Sequence, residues 1–467
     1  MTSSDIQLLA IALAGVLFLV GLIVSRIRLH PLLALLVTAL AVGLAVGMPV
    51  DKIVSTMTGG AGKTLSGVGL VIALGAMLGK ILADTGVTES ISEALIRKTP
   101  AHLLPWAMAA TAFVVGIPMF FEVGLVVMLP LIFSVARKLE SASETPSGVR
   151  GSSYMFVGVP VIAALASMHG MVPPHPGPLT AIAALDASVG ATMIYGFCAA
   201  IPAIILAGPV YGRFIAPKLA AVRPDGEMIS QFTEKTGEDR SAMQPPSAGL
   251  SLLTALMPAL LMLLHSLTQL ALPGGSGLLT VTAFLGNPVI AMLLSVLFAA
   301  LVLVYLRQGD AEVLRSSMTA SLRPIGNVLL IIAGGGAFQH VLAAANVGDA
   351  IMHLSQQFHL SPLLLGWIIA MLLSVSTGSA TVGIVGAAGL LAPLAGAGNV
   401  NTSLLALSIG AGSLFFNYAN HAGFWLVKES FSMSMKEATL SISIIQSIVA
   451  LVGLAMVLVM NLLPAIG

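Results

Sequence analysis

Eight apolar runs, each 18 to 23 residues long and carrying at most one charged residue, recur along this chain, at 6–24, 31–48, 66–83, 190–212, 250–272, 287–306, 325–343 and 441–463. A helix of about 20 apolar residues matches the hydrocarbon thickness of a bilayer. So many runs in one chain leave no polar surface for water. Charged residues are only 8% of the 467, against about a quarter in a soluble globular chain. The solvent for most of the surface is therefore lipid, and the partner implied first is a lipid bilayer. A net charge of +1 argues against a nucleic-acid partner. The 48 glycines suit close helix packing. The single cysteine, Cys198, has no internal disulfide partner and is expected to pack within its apolar run.

The first run is followed, not preceded, by its positive charges, Arg26 and Arg28. A signal peptide has the reverse order, so residues 1–29 read as a first membrane helix that is retained. Four further apolar stretches, 101–137, 154–185, 362–395 and 403–427, are interrupted by glycine, proline or polar clusters. Residues 213–249 form the longest polar stretch and read as a cytoplasmic linker between two halves. With the N-terminus outside, seventeen of the twenty Lys and Arg residues fall on the inner side. This assignment puts both termini outside. It requires 101–137 to leave and re-enter from the inside and 362–395 from the outside, either as re-entrant hairpins or as paired spans.

The halves share a weak, ordered likeness. His30-Pro31-Leu32-Leu33-Ala34 aligns with Asn287-Pro288-Val289-Ile290-Ala291, Ile81-Leu82-Ala83 with Val341-Leu342-Ala343, Pro130-Leu131 with Pro393-Leu394, and His175 and Gly177 with His421 and Gly423. Chance similarity between apolar segments can also produce such matches, but their common order favours duplication. The expected fold is an all-α polytopic membrane protein of two inverted-topology repeats, each with a helical hairpin and a broken helix. Repeat 1 covers 30–212 (hairpin 101–137, broken helix 154–185). Repeat 2 covers 287–467 (hairpin 362–395, broken helix 403–427), and 250–286 supplies a connecting helix and an outside loop. Secondary transporters are built on this plan, with substrate at the breaks.

Non-helical backbone at membrane depth is tolerated only against protein or a water-filled cavity. Four breaks are therefore candidate substrate-binding elements. In the first, Gly116 and Pro118 stop a helix, a new one starts near Phe120, and Glu122 lies in its first turn. Free N–H groups and the positive dipole end there favour an anion. Glu122 can carry a coupling proton or merely stabilise the helix start. In the second, Ser376, Thr377, Gly378, Ser379 and Thr381 offer hydroxyls and N–H groups to an anionic oxygen or a polyol, or simply form a small-residue turn. The third holds His169 and His175 around four prolines within 173–178. The fourth holds Asn417, Asn420 and His421, whose donors and acceptors suit a hydroxylated substrate or a structural network. Asp84, Glu89 and Glu93 are expected to face water, and Asp186 to cap the next helix.

Gly59, Gly60, Gly62 and Lys63 suggest a phosphate-binding loop, but Met57 occupies the position of its first required glycine. No hydrolase or metalloprotease motif occurs and the histidines are dispersed, so no enzyme activity, metal site or cofactor is expected.

Pro118-Met119-Phe120-Phe121-Glu122-Val123-Gly124, His169-Gly170-Met171-Val172-Pro173-Pro174-His175-Pro176-Gly177-Pro178, Gly334-Gly335-Gly336-Ala337-Phe338, Gly378-Ser379-Ala380-Thr381-Val382 and Gly423-Phe424-Trp425-Leu426-Val427-Lys428 together resemble the gluconate permease family of the ion transporter superfamily. The resemblance runs from about residue 30 to the C-terminus. It implies a bacterial inner-membrane symporter that imports gluconate or a related anion with protons. Idonate, fructuronate and D-serine are alternative substrates in that family. It further implies re-entrant hairpins, a scaffold that often forms a homodimer and an elevator-type motion. Coupling to sodium is the competing reading, because unwound carbonyls can also coordinate Na⁺. The chain departs from the family at Phe416–His421, where many members carry a Ser-His-Val-Asn-Asp-like run and an acid is here replaced by histidine.

Overall fold

The computed structural model describes residues 2–96, 99–141, 151–225, 245–272, 276–307, 310–347, 349–350, 353, 357, 361–396, 400–419 and 421–464. These residues are helical, with no strand among them. The first half contains α1 (Ser3–Val24), α2 (Pro31–Ala45), α3 (Val50–Asp84), α4 (Val87–Ile96), α5 (Leu104–Gly116), α6 (Phe121–Ser141), α7 (Ser153–Met171), α8 (Pro176–Ala184), α9 (Val189–Ile205) and α10 (Tyr211–Ile215). The second half contains α11 (Ala248–Ala271), α12 (Gly277–Gly286), α13 (Pro288–Leu303), α14 (Ala311–Ser321), α15 (Arg323–Ala344), α16 (Pro362–Thr377), α17 (Ala380–Gly396), α18 (Thr402–Gly412), α19 (Ala422–Ser430), α20 (Met435–Ala438) and α21 (Ile444–Met460).

Among the described residues, eight helical stretches are long and apolar enough to cross a bilayer. Burial grades them. The window within Ser153–Ala184 is 94% buried and has no lipid face, whereas that of Ser4–Ile23 is only 17% buried. Helix α7 is thus the axis of the molecule, and α1 lies at its periphery with Leu13 and Leu17 exposed. Lipid offers no hydrophobic drive between helices, so contact depends on small residues. Where α7 meets α18, a Cβ on Gly410 would sit 2.0 Å from the Gly170 carbonyl oxygen. Where α3 meets α15, a Cβ on Gly60 would sit 2.5 Å from the carbonyl of Gly336.

Several sequence expectations change. The expected span 66–83 is the second half of the 35-residue α3, about 52 Å long at 1.5 Å per residue. Its polar start, with Asp51, Lys52 and Lys63, reads as a loop. Packing on α15 keeps it helical, and Gly59–Lys63 is accordingly a helix turn and no loop. The expected span 31–48 is a helix of only 15 residues. The linker at 213–249 begins with helix, through Ile215 and a 3₁₀ turn at Ala216–Leu219, while 226–244 lies outside the described residues. The loop expected before residue 287 holds α12. Ser188, not Asp186, caps α9, and Asp186 adopts φ 49°. Asp84 pairs with Lys80 at 2.5 Å and accepts from the Ser317 hydroxyl. Cys198 is exposed on α9.

Contacts cross between the halves in matched pairs. The short helix α8 packs on α17, and the short helix α19 packs on α6. Likewise α2 packs on α15, and α13 on α3. Within each half the hairpin packs on the long arm of its own broken helix, α5 and α6 on α7, and α16 and α17 on α18.

Candidate functional site

Two hairpin tips and two helix breaks converge at one level. At the first tip, α5 ends at Gly116 and Pro118 lacks the N–H that would continue it. The chain turns through a Met119 N–H to Gly116 carbonyl bond of 3.3 Å, and α6 starts with Gly124 N–H on the Phe120 carbonyl at 2.8 Å. The N–H groups of Phe121, Glu122 and Val123 precede the first intrahelical bond, as at any helix start, and have no partner among the described residues. Glu122, half-buried, projects from this turn.

At the second tip, Gly378 takes the left-handed conformation (φ 71°) that ends α16, a conformation costly for a residue with a Cβ. Ser379 caps α17, its hydroxyl accepting from Val382 N–H at 3.3 Å. The Ala380 N–H donates to His421 Nε2 at 3.4 Å. The Thr381 N–H is left without a partner among the described residues. Thr377 spends its hydroxyl on the Leu373 carbonyl of its own helix, at 2.7 Å.

The breaks are tied down differently. His175 is buried, and its Nε2 donates to the Gly116 carbonyl at 2.8 Å, joining the Pro173–Pro174 segment to the end of α5. Its ring meets that of His169 edge-on, with centroids 5.9 Å apart. In the other break, Phe416 has φ 47° and Asn417 is buried. Asn417 Oδ1 accepts from the Ser374 hydroxyl at 3.1 Å and its carbonyl from the Ser443 hydroxyl at 2.6 Å.

Between these elements lies a cavity of about 340 Å³, a size suited to a small organic ligand. From the first half its wall includes Phe120, Glu122, Val123, His169 and Pro176. Gly378, Ser379, Ala380, Thr381, His421 and Ala422 come from the second. Of the residues singled out in the sequence, the wall therefore gathers Phe120, Glu122, His169, Gly378, Ser379, Thr381 and His421. Gly116, Ser376, Thr377 and Asn417 are not on it. Pro118 and His175 line a separate small crevice with Ile117 and Met119, and Asn420 lies outside the described residues. The wall also carries Ile325, Asn327, Val328 and Ile331 from α15. These were not singled out, because their segment reads as an ordinary span. The available signal was spacing: the pairs 325/328, 328/331 and 327/331 are three or four residues apart, the separations that share a helix face.

The chemistry of the wall is asymmetric. Among the described residues Glu122 is its one acid, and no Lys or Arg lines it. An anion there must be met by backbone N–H groups, hydroxyls, amides and imidazoles. The Nδ1 atoms of His169 and His421 are buried and have no hydrogen-bond partner among the described residues.

Residues 6–463 match the GntP family permease profile. The chain is 39% identical to the gluconate permease of Pseudomonas aeruginosa, over 98% of this chain and 99% of that one. It is 38% identical to the high-affinity gluconate transporter of Escherichia coli, over 97% and 99%. More divergent relatives in E. coli are named as an L-idonate transporter, at 33% identity, and a D-serine transporter, at 31%. Among solved structures, MtrF of Neisseria gonorrhoeae, at 15% identity, superposes with a TM-score of 0.62 over 93% of this chain and 96% of its own, a likeness of fold. With eight helices fit to span a bilayer, this chain belongs to the GntP permease family and is a multi-pass membrane transporter.

Proposed function

We propose that this protein imports gluconate, or a closely related sugar acid, together with protons across the bacterial inner membrane. The observation that carries the proposal is the composition of the cavity wall: among the described residues one carboxylic acid, Glu122, faces a space otherwise lined by amide and hydroxyl groups, histidine rings and apolar groups. The substrate carboxylate binds at the helix starts, where the N–H groups of Phe121, Glu122, Val123 and Thr381 are available. Hydroxyls and the histidines meet the polyol chain. Glu122 takes up and releases the coupling proton.

Near-full-length identity to proteins named for gluconate supports the substrate class. L-idonate and D-serine, for which more distant relatives are named, share its carboxylate and hydroxyl. The matched cross-half contacts support reading 30–212 and 287–467 as inverted repeats. The Lys and Arg distribution supports a cytoplasmic linker with both termini outside.

The test is uptake of labelled gluconate into proteoliposomes. An inward proton gradient should drive accumulation above equilibrium, and a protonophore should abolish it. A sodium gradient at equal pH should have no effect. Accumulation that follows sodium, or mere equilibration under a proton gradient, would defeat the proposal.

A further inference from the structure

Asn327 enters the cavity wall from α15, an element outside both hairpins and both broken helices. Its partner is His30, 297 residues away in sequence. His30 caps α2: its Nδ1 accepts the Leu32 N–H at 3.3 Å. An imidazole nitrogen that accepts carries no proton, so in the neutral ring the proton lies on Nε2. Nε2 is 2.8 Å from Asn327 Oδ1 and donates to it. Turning the amide over would set its NH₂ group against the imidazole N–H. Protonation of Nδ1 would cost α2 its cap but leave the Nε2 proton in place, so the amide points the same way in either charge state. Asn327 therefore has its oxygen engaged and its Nδ2, with two donors, without a partner among the described residues.

The geometry points to Asn327 as a substrate-contacting residue that sets specificity. It presents amide donors to an acceptor oxygen of a polyhydroxylated carboxylate, and His30 is the positioning residue that aims them. This inference rests on the sugar-acid reading of the cavity. The chemistry agrees with it, since a wall whose described residues include no Lys or Arg binds an oxygen-rich anion through neutral donors, and an amide nitrogen is one that a hydroxyl oxygen or carboxylate can use without the site becoming cationic.

The other half of the molecule supplies the means of separating capping from positioning. Asn287, the counterpart of His30, caps α13 with its Oδ1 on the Val289 N–H at 3.0 Å. His30→Asn should therefore keep the cap on α2 yet fall short of Asn327.

The experiment is proteoliposome uptake by the full-length protein of gluconate, each monodeoxy-gluconate and gluconamide. Asn327→Ala should raise KM for gluconate about tenfold, the size of one lost hydrogen bond to a charged or strongly polar group, with the maximal rate nearly unchanged. Asn327→Asp, which puts an acceptor and a negative charge where donors were, should raise KM further. His30→Asn should raise it about threefold at an unchanged melting temperature. In Asn327→Ala, one analogue should lose the disadvantage that it shows against gluconate in the wild type. That analogue identifies the oxygen that Asn327 contacts, and a merely structural role would not move this difference. If the wild type accumulates gluconate but Asn327→Ala discriminates every analogue as the wild type does, the inference is wrong and the sugar-acid reading stands. If the wild type accumulates no member of the panel, that reading falls and takes the inference with it.

Discussion

Glu122 stands in the first turn of α6 and on the wall of a cavity that, among the described residues, carries no Lys or Arg. An acid so placed can lose its charge to a proton while the neighbouring N–H groups serve a second anion. If this exchange couples transport, Glu122→Gln should lower proton-driven accumulation about tenfold, within the range of ordinary coupling free energies. Gluconate counterflow under zero gradient should persist, because counterflow needs binding and movement but no proton. Full accumulation by Glu122→Gln would remove the role. Rarity made this residue conspicuous in the sequence, as it did the histidines. Asn327 was inconspicuous for the opposite reason. A single amide in an apolar span carries no local signal, and the partner that orients it comes from the other end of the fold.

At the scale of elements, the breaks were easier to read than the continuous helices. Four prolines within six residues cannot lie inside a helix, and the chain indeed leaves α7 at Met171 and resumes at Pro176. The extent of α3 was hidden because Asp51, Lys52 and Lys63 give its first half the look of a loop. Tertiary contacts lie along that half, Ile53 against Gly43 of α2 and Gly60 against Gly336 of α15, and no short window of sequence contains all of these partners. Packing also makes the glycine contacts specific. Gly410→Val would drive a side chain into the Gly170 carbonyl at the crossing of α7 and α18. Overpacking of this kind costs about 1–3 kcal/mol, and the melting temperature in detergent should fall accordingly. At Gly59, where a Cβ would meet nothing within 4 Å, substitution by Ala should not lower it, because Ala is the better helix former.

For the whole molecule, the charge distribution makes an orientation testable. Cys198 is the sole cysteine and is exposed, so it is first replaced by Ala. Asn461→Cys, near the C-terminus, should then react with a membrane-impermeant maleimide on intact cells. Ala220→Cys, at the start of the linker, should react only after permeabilisation. The reverse pattern would invert the topology. Charge counting reaches this level because loops obey a simple electrostatic bias. It did not reach the crossed contacts, because nothing in the sequence of α8 or α19 states which hairpin each will meet.

Those crossed contacts also set a timetable for biogenesis. Helix α19, which covers the α6 side of the cavity, follows Glu122 by about 300 residues. At about 5–20 residues per second of synthesis, the acid-bearing turn waits roughly 15–60 s before its cover exists. During that interval the nascent first half holds a polar hairpin tip against lipid, the insertion machinery or water. Helix α7 and His175 cover part of that tip from within the first half, but the side closed by α19 waits for the last few helices to be made.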